Sequence, residues 1–191
     1  MRDTTTGLKF EKATDLIDYL VRGRGYKHLG ENIYSNGRTT LVNLKGNKLY
    51  TWLNSYGVKF QDRISRKLLP DECVYSTGSN TLYVFEKKFQ QTAGSADEKL
   101  QTCDFKKKQY EKLVKGLHVK VEYTYLLSDW FKNPMYKDVL EYIEASSVSP
   151  INSNNMKTNV FMTISAIVIY GFFLYIIISS HIIYVGIIIF Y

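Results

Sequence analysis

The chain predicts an α/β fold in which helices flank a mixed sheet, and three observations predict it. Two runs rich in Val, Tyr and Phe, residues 71–76 and 81–88, flank the turn-forming Thr77-Gly78-Ser79-Asn80 and read as a β-hairpin. Ser95-Ala96-Asp97-Glu98 is a capping box, in which a Ser hydroxyl and a Glu carboxylate satisfy each other's free backbone N–H groups, and it opens a helix over 96–115. Residues 119–127 then alternate apolar and polar side chains as a further strand. The order strand, helix, strand permits a right-handed crossover, which makes 81–88 and 119–127 parallel in a sheet whose hairpin is antiparallel.

The remaining elements follow in chain order. Phe10, Ala13, Leu16, Ile17, Leu20 and Val21 recur at helical spacing and predict one amphipathic helix ended by Gly23 and Gly25, with Glu11, Asp15 and Asp18 on its other face. Residues 31–35 and 38–43 flank Asn36-Gly37, which predicts a second hairpin with a two-residue type I′ turn, because both turn positions need positive φ. Asn47 is placed to cap a short helix presenting Leu49, Trp52, Leu53 and Tyr56, with Gly57 terminating it. Residues 58–69 read as irregular. On the 96–115 helix, Leu100, Cys103, Lys107, Tyr110 and Val114 share one seam, Lys107 joining it by its methylene stem. Asn133-Pro134 reads as N-cap and first residue of a closing helix with Tyr136, Val139, Leu140 and Ile143 on its apolar side.

The hairpin carries the chemistry. A two-residue loop centred on Gly78-Ser79 makes opposed residue numbers sum to 157, which sets Asp71 against Glu86, Cys73 against Val84 and Tyr75 against Leu82. Period-two alternation adds Lys88 and Gln90 to the Asp71 and Glu86 face and sends Tyr83, Phe85 and Phe89 to the other. Like charges opposed across a strand pair repel. A divalent cation reverses that sign, and two carboxylates with a backbone carbonyl form a hard oxygen site suited to Mg²⁺. Lys88 would stand beside it, able to hydrogen-bond an attacking water or charge growing on a phosphate.

Pro70-Asp71, a hairpin, then Glu86-Lys87-Lys88 resembles the PD-(D/E)XK nuclease superfamily, the fold of many restriction endonucleases, recombination exonucleases and junction resolvases. The runs Glu86-Lys87-Lys88-Phe89-Gln90 and Asp97-Glu98-Lys99-Leu100-Gln101-Thr102-Cys103-Asp104-Phe105-Lys106-Lys107-Lys108-Gln109-Tyr110 look like a group of small bacterial members. The resemblance implies a restriction-endonuclease-like mixed central sheet and Mg²⁺-dependent hydrolysis of DNA phosphodiesters, with Mn²⁺ as a substitute. It makes Asp71 and Glu86 metal ligands, the Lys87 carbonyl a third ligand and Lys88 the catalytic lysine, and it matches Gln90 to a glutamine two positions after that lysine. It also implies that an acid of the first helix, among Glu11, Asp15 and Asp18, can join the metal. The helix after the lysine strand would lie near the substrate backbone, which nominates Lys106, Lys108 and Lys112 as DNA contacts. A catalytically inactive DNA-binding member of the fold and a membrane-anchored interaction protein with an accidental motif are the alternatives.

Composition agrees with a polyanionic partner. The 191 residues carry a net charge of +7, and all 25 Lys and Arg and all 18 Asp and Glu fall at or before Lys157. Cys73 and Cys103 give neither a disulfide framework nor zinc spacing, and His28, His118 and His181 are too scattered for a metal or nucleophile cluster. The expected organisation is one nuclease-like domain over 1–145, a Ser- and Asn-rich polar linker over 146–158, and a hydrophobic tail over 159–191. Within the tail, 160–178 is long enough to cross the ~30 Å bilayer core as a helix. That would tail-anchor a cytoplasmic catalytic domain in the membrane. A wholly cytoplasmic protein with a non-native tail, of the kind AT-rich codons give after a frameshift, and a buried core segment are the other readings of that stretch.

Overall fold

The computed structural model of the chain describes residues 4–92 and 96–152. Helices α1 (Thr4–Ala13) and α2 (Leu16–Arg24) come first, then strands β1 (Lys27–Gly30), β2 (Ile33–Ser35) and β3 (Thr40–Asn43), and helix α3 (Lys48–Ser55). Strands β4 (Glu72–Ser76) and β5 (Thr81–Lys88) lead through α4 (Ala96–Leu100) and α5 (Cys103–Val114) to β6 (Lys120–Leu127), α6 (Lys137–Ala145) and β7 (Ser149–Asn152). The seven strands form one sheet in sequence order. From β1 to β5 every neighbour is antiparallel: β1–β2, β2–β3 and β4–β5 are joined by short turns, and the longer β3–β4 link, which carries α3, also returns beside its own strand. The α4–α5 crossover makes β6 parallel to β5, and α6 makes β7 parallel to β6.

Strand alternation divides the core in two. Cys73, Leu82, Val84, Val121, Tyr123, Tyr125 and Leu127 meet α3, α5 and α6 on one face. Val74, Tyr83, Phe85, Leu126 and Ile151 meet Leu16 and Leu20 of α2 on the other. Leu100, Cys103, Tyr110 and Val114 are buried along the seam expected of them, and Lys107 reaches past its end to donate to the Ser147 carbonyl at 3.0 Å. The closing helix begins as expected too: Asn133 accepts from the Met135 N–H at 3.1 Å, and a 3-10 turn over Pro134–Tyr136 runs into α6.

Several local expectations are corrected. The first helix is two helices, because the Thr14 hydroxyl turns back to the Phe10 carbonyl at 2.8 Å and Asp15 caps α2 by accepting the Asp18 N–H at 2.8 Å. Gly23 lies inside α2, and Gly25 ends it at φ 68°, a left-handed conformation that costs glycine little. The Asn36-Gly37 turn is not a two-residue type I′ loop. Ser35 pairs with Thr40, and Asn36 Oδ1 gathers the N–H groups of Arg38 and Thr39. The β4–β5 hairpin likewise has a four-residue loop, Ser76 pairing with Thr81, yet keeps the expected register from Cys73 to Ser76. The helix after it breaks between Leu100 and Cys103, where Thr102 donates its hydroxyl to the Lys99 carbonyl at 2.7 Å.

The domain also reaches beyond residue 145. Part of the stretch read as linker is β7, whose Ile151 is 3% exposed in the core. The 3-10 turn Phe60–Asp62 is the regular part of the segment before Pro70, and β1 adds an edge strand that the sequence reading did not contain. Among the described residues no helix is long and apolar enough to cross a membrane, and the tail over 159–191, like Ser95 of the capping box, lies outside them.

Candidate active site

The register between β4 and β5 decides what stands at the open end of the hairpin. Cys73 pairs with Val84 and Tyr75 with Leu82, as expected, but the ladder ends at Glu72 and Phe85 and does not include the expected pair of Asp71 with Glu86. Asp71 sits one residue before the ladder, and its carboxylate accepts the Lys87 N–H at 2.8 Å. Pro70 accounts for this arrangement. Continuing the register would set Pro70 against Lys87, and a hydrogen-bonded antiparallel pair exchanges two N–H···O bonds, one of which proline has no proton to make. Asp71 takes over the Lys87 N–H, while Pro70 turns its own carbonyl to the Gly46 N–H at 3.2 Å.

One face of β5 carries Glu86 and Lys88. Lys88 Nζ lies 2.6 Å from Glu86 Oε1, and Lys106 Nζ of α5 lies 2.5 Å from the same oxygen. The Tyr123 hydroxyl of β6 donates to Glu86 Oε2 at 3.2 Å. Burial, and next the Glu86 charge, push the Tyr123 phenol up, which keeps it protonated as that donor. The two carboxylates are pulled apart in acidity. Burial raises Asp71, opposed by the Lys87 N–H and reinforced by the Glu86 charge. Burial acts in the same sense on Glu86, but Lys88 and Lys106 outweigh it and hold this carboxyl below the usual glutamate range.

The sequence-nominated residues divide accordingly. Asp71, Glu86 and Lys88 gather at the hairpin end with the Lys87 main chain. Gln90 lies beyond the end of β5, its backbone N–H and carbonyl both held by the Ser128 hydroxyl at 3.2 Å. Its side-chain nitrogen is buried and bonds to none of the described residues. Lys108 pairs with Asp104 at 2.7 Å on the exposed side of α5, and Lys112 is exposed in the last turn. Of the first-helix acids, Glu11 contacts Lys87 Nζ at 3.3 Å on the opposite face of the sheet, Asp15 caps α2, and Asp18 pairs with Arg22.

Lys106, nominated for DNA, is turned toward Glu86, a contact that the sequence reading did not contain. A signal existed. Lys106 stands three residues after Cys103 and four before Tyr110, both fully buried, so it belongs to the inward row of α5.

Two carboxylates and a main-chain carbonyl are the all-oxygen donor set that Mg²⁺ accepts. The upward push of Glu86 on Asp71 is the unfavourable charge that a cation would offset. Among the described residues no three His, Cys, Asp or Glu side chains converge, so further ligands would be water or phosphate oxygen. No family model, curated protein or solved structure matches this chain.

Proposed function

We propose that this protein is a restriction-endonuclease-like, Mg²⁺-dependent nuclease that hydrolyses DNA phosphodiesters at the open end of the β4–β5 hairpin. The observation that carries this reading is Glu86 held between Lys88 and Lys106 beside the Asp71 carboxylate that caps Lys87. Asp71, Glu86 and the Lys87 carbonyl would hold the ion. When bound, Mg²⁺ supplies Lewis acidity toward a phosphoryl oxygen and lowers the pKa of a bound water. Lys88 orients that water or donates to the charge growing on the phosphate, which such a donor favours by about 3–4 kcal/mol in other hydrolases. Tyr123 fixes the carboxylate rotamer of Glu86, and Asp71 fixes the end of β5 through the Lys87 N–H. Lys112 is exposed to phosphates along α5, and Lys108 would exchange its Asp104 pair for one. The tail would attach this cytoplasmic domain to a membrane.

One observation favours a second reading, a DNA-binding member of the fold without catalysis. Both oxygens of Glu86 are already engaged, by two ammonium groups and a phenol, as in a purely structural ion cluster. Incubating the protein with plasmid and with linear single- and double-stranded DNA, in Mg²⁺, Mn²⁺ or EDTA, separates the two. Metal-dependent cleavage lost in Asp71→Ala supports the nuclease. DNA binding without cleavage supports the second reading, and neither activity would overturn both.

A further inference from the structure

Segment 59–67, Lys-Phe-Gln-Asp-Arg-Ile-Ser-Arg-Lys, holds four cations, Lys59, Arg63, Arg66 and Lys67, against one anion, Asp62. All four cations are exposed. None makes an ion pair with another described residue, in contrast to Lys106 and Lys108 on α5.

The backbone beneath these cations is tied down at several points. Ile64 is 5% exposed in the core, and its N–H bonds to the Phe60 carbonyl at 2.8 Å. The Tyr50 hydroxyl accepts from the Leu68 N–H at 2.7 Å and donates to the Leu68 carbonyl at 2.8 Å. Lys67 Nζ lies 4.8 Å and 5.1 Å from the ring centres of Tyr50 and Phe60. A segment held in this way brings its charges to a ligand with little ordering cost.

Its position adds the second half. Phe60, Ile64 and Leu68 pack into the same core as Tyr110 and Tyr123, on the face of the sheet that carries Glu86. The segment then runs through Leu69 and Pro70 into Asp71. Arg66 is five residues from Asp71, at most about 18 Å of chain, or about five phosphate steps of one strand at 3.4 Å rise.

We propose that segment 59–67 grips the phosphate backbone of duplex DNA through Arg63 and Arg66 and so delivers a strand to Asp71. This rests on the nuclease reading above. Because Arg63 and Arg66 give up no ion-pair partner among the described residues, each phosphate contact releases counterions without breaking an internal pair there.

The test is fluorescence anisotropy of a labelled DNA duplex titrated with the full-length chain in non-ionic detergent and EDTA, over a series of salt concentrations. Arg63→Gln/Arg66→Gln should lower the slope of log affinity against log salt by about 2, and Arg63→Lys/Arg66→Lys should keep the wild-type slope. If the double Gln variant melts below wild type, the single variants decide, each losing about 1. A wild-type slope in folded Gln variants overturns the grip and leaves the nuclease reading standing. Failure of the wild-type chain to bind duplex DNA overturns the grip and, where the chain also cleaves neither single- nor double-stranded DNA in Mg²⁺, the nuclease reading with it; preference for duplex RNA of equal length overturns the assignment of the ligand.

Discussion

Lys87 Nζ lies 2.8 Å from Glu72 Oε1, and both side chains are 2% exposed, on the face of the sheet opposite Glu86 and Lys88. Lys45 meets the same Glu72 oxygen at 2.8 Å from a more exposed position, and Glu11 of α1 closes on Lys87. The consecutive residues Lys87 and Lys88 therefore anchor two ion clusters on opposite faces, one in the core and one at the candidate site.

A buried charge left without its partner is far costlier than the pair is stabilising. Glu72→Ala should destabilise the fold by about 3–5 kcal/mol in denaturant unfolding. Glu72→Met/Lys87→Met should recover most of that loss. A double variant as unstable as the single would mean that the pair does more than neutralise itself.

Stability should respond to pH with opposite signs at the two site carboxyls. The raised pKa of Asp71 gives a contribution that is full below its unfolded value and lost as pH rises through its folded value, so at neutral pH the ionised group opposes folding. Asp71→Asn, which keeps an acceptor for the Lys87 N–H, should raise the melting temperature near neutrality, and the gain should vanish on acidification. Glu86 is the reverse, its contribution present above the usual glutamate value and lost as pH falls through the depressed folded one. Glu86→Gln should cost about 1–3 kcal/mol near neutrality, because Lys88 and Lys106 lose their counter-charge. Melting curves recorded across the acid range check both.

For catalysis, Asp71→Ala and Glu86→Ala should abolish Mg²⁺-dependent cleavage and Mn²⁺ binding together. Lys88→Ala should keep metal binding and lose about 100- to 1000-fold in rate. Lys106→Met should also bind metal, since it removes a competitor for Glu86 and not a ligand. Calorimetric Mn²⁺ titration beside single-turnover cleavage resolves these cases, and cleavage at the wild-type rate by Asp71→Ala would exclude the site.

The end of the folded unit is testable by truncation. A chain ending at Asn152 should unfold cooperatively. Ending at Ser149 instead removes Pro150, Ile151 and Asn152 from the sheet, and loss of the buried Ile151 side chain alone should cost about 1.5–3 kcal/mol. Equal melting temperatures for the two would show that β7 adds nothing.

What the sequence made legible was whatever depends on period and local turn chemistry. The β4–β5 register needed only the positions of two apolar runs, and it was right although the loop was longer than expected, because lengthening it by one residue on each side preserves the sum of opposed numbers. The parallel pairing of β5 and β6 followed from an intervening helix. The helix breaks were hidden because apolar periodicity runs straight through them. Side chains bonding back to the main chain, Thr14 to Phe10 and Thr102 to Lys99, accompany both breaks. β7 reads as loop in composition, Ser-Pro-Ile-Asn, and is a strand through its pairing with β6. At the candidate site, the proximity of Asp71, Glu86 and Lys88 was readable from one hairpin, while the contact of Lys106 with Glu86 also depends on how a helix from the crossover lies on the sheet.

The parallel run of β5, β6 and β7 also sets where the polypeptide departs. Lys88 stands beside Leu127, and Leu127 beside Asn152, in one row across the sheet. Two strand spacings separate the ends of that row, about 10 Å between the backbone of Lys88 and that of Asn152. On the nuclease reading, a group attached at Asn152 itself would start beside the acid pair and could narrow a substrate's approach to it.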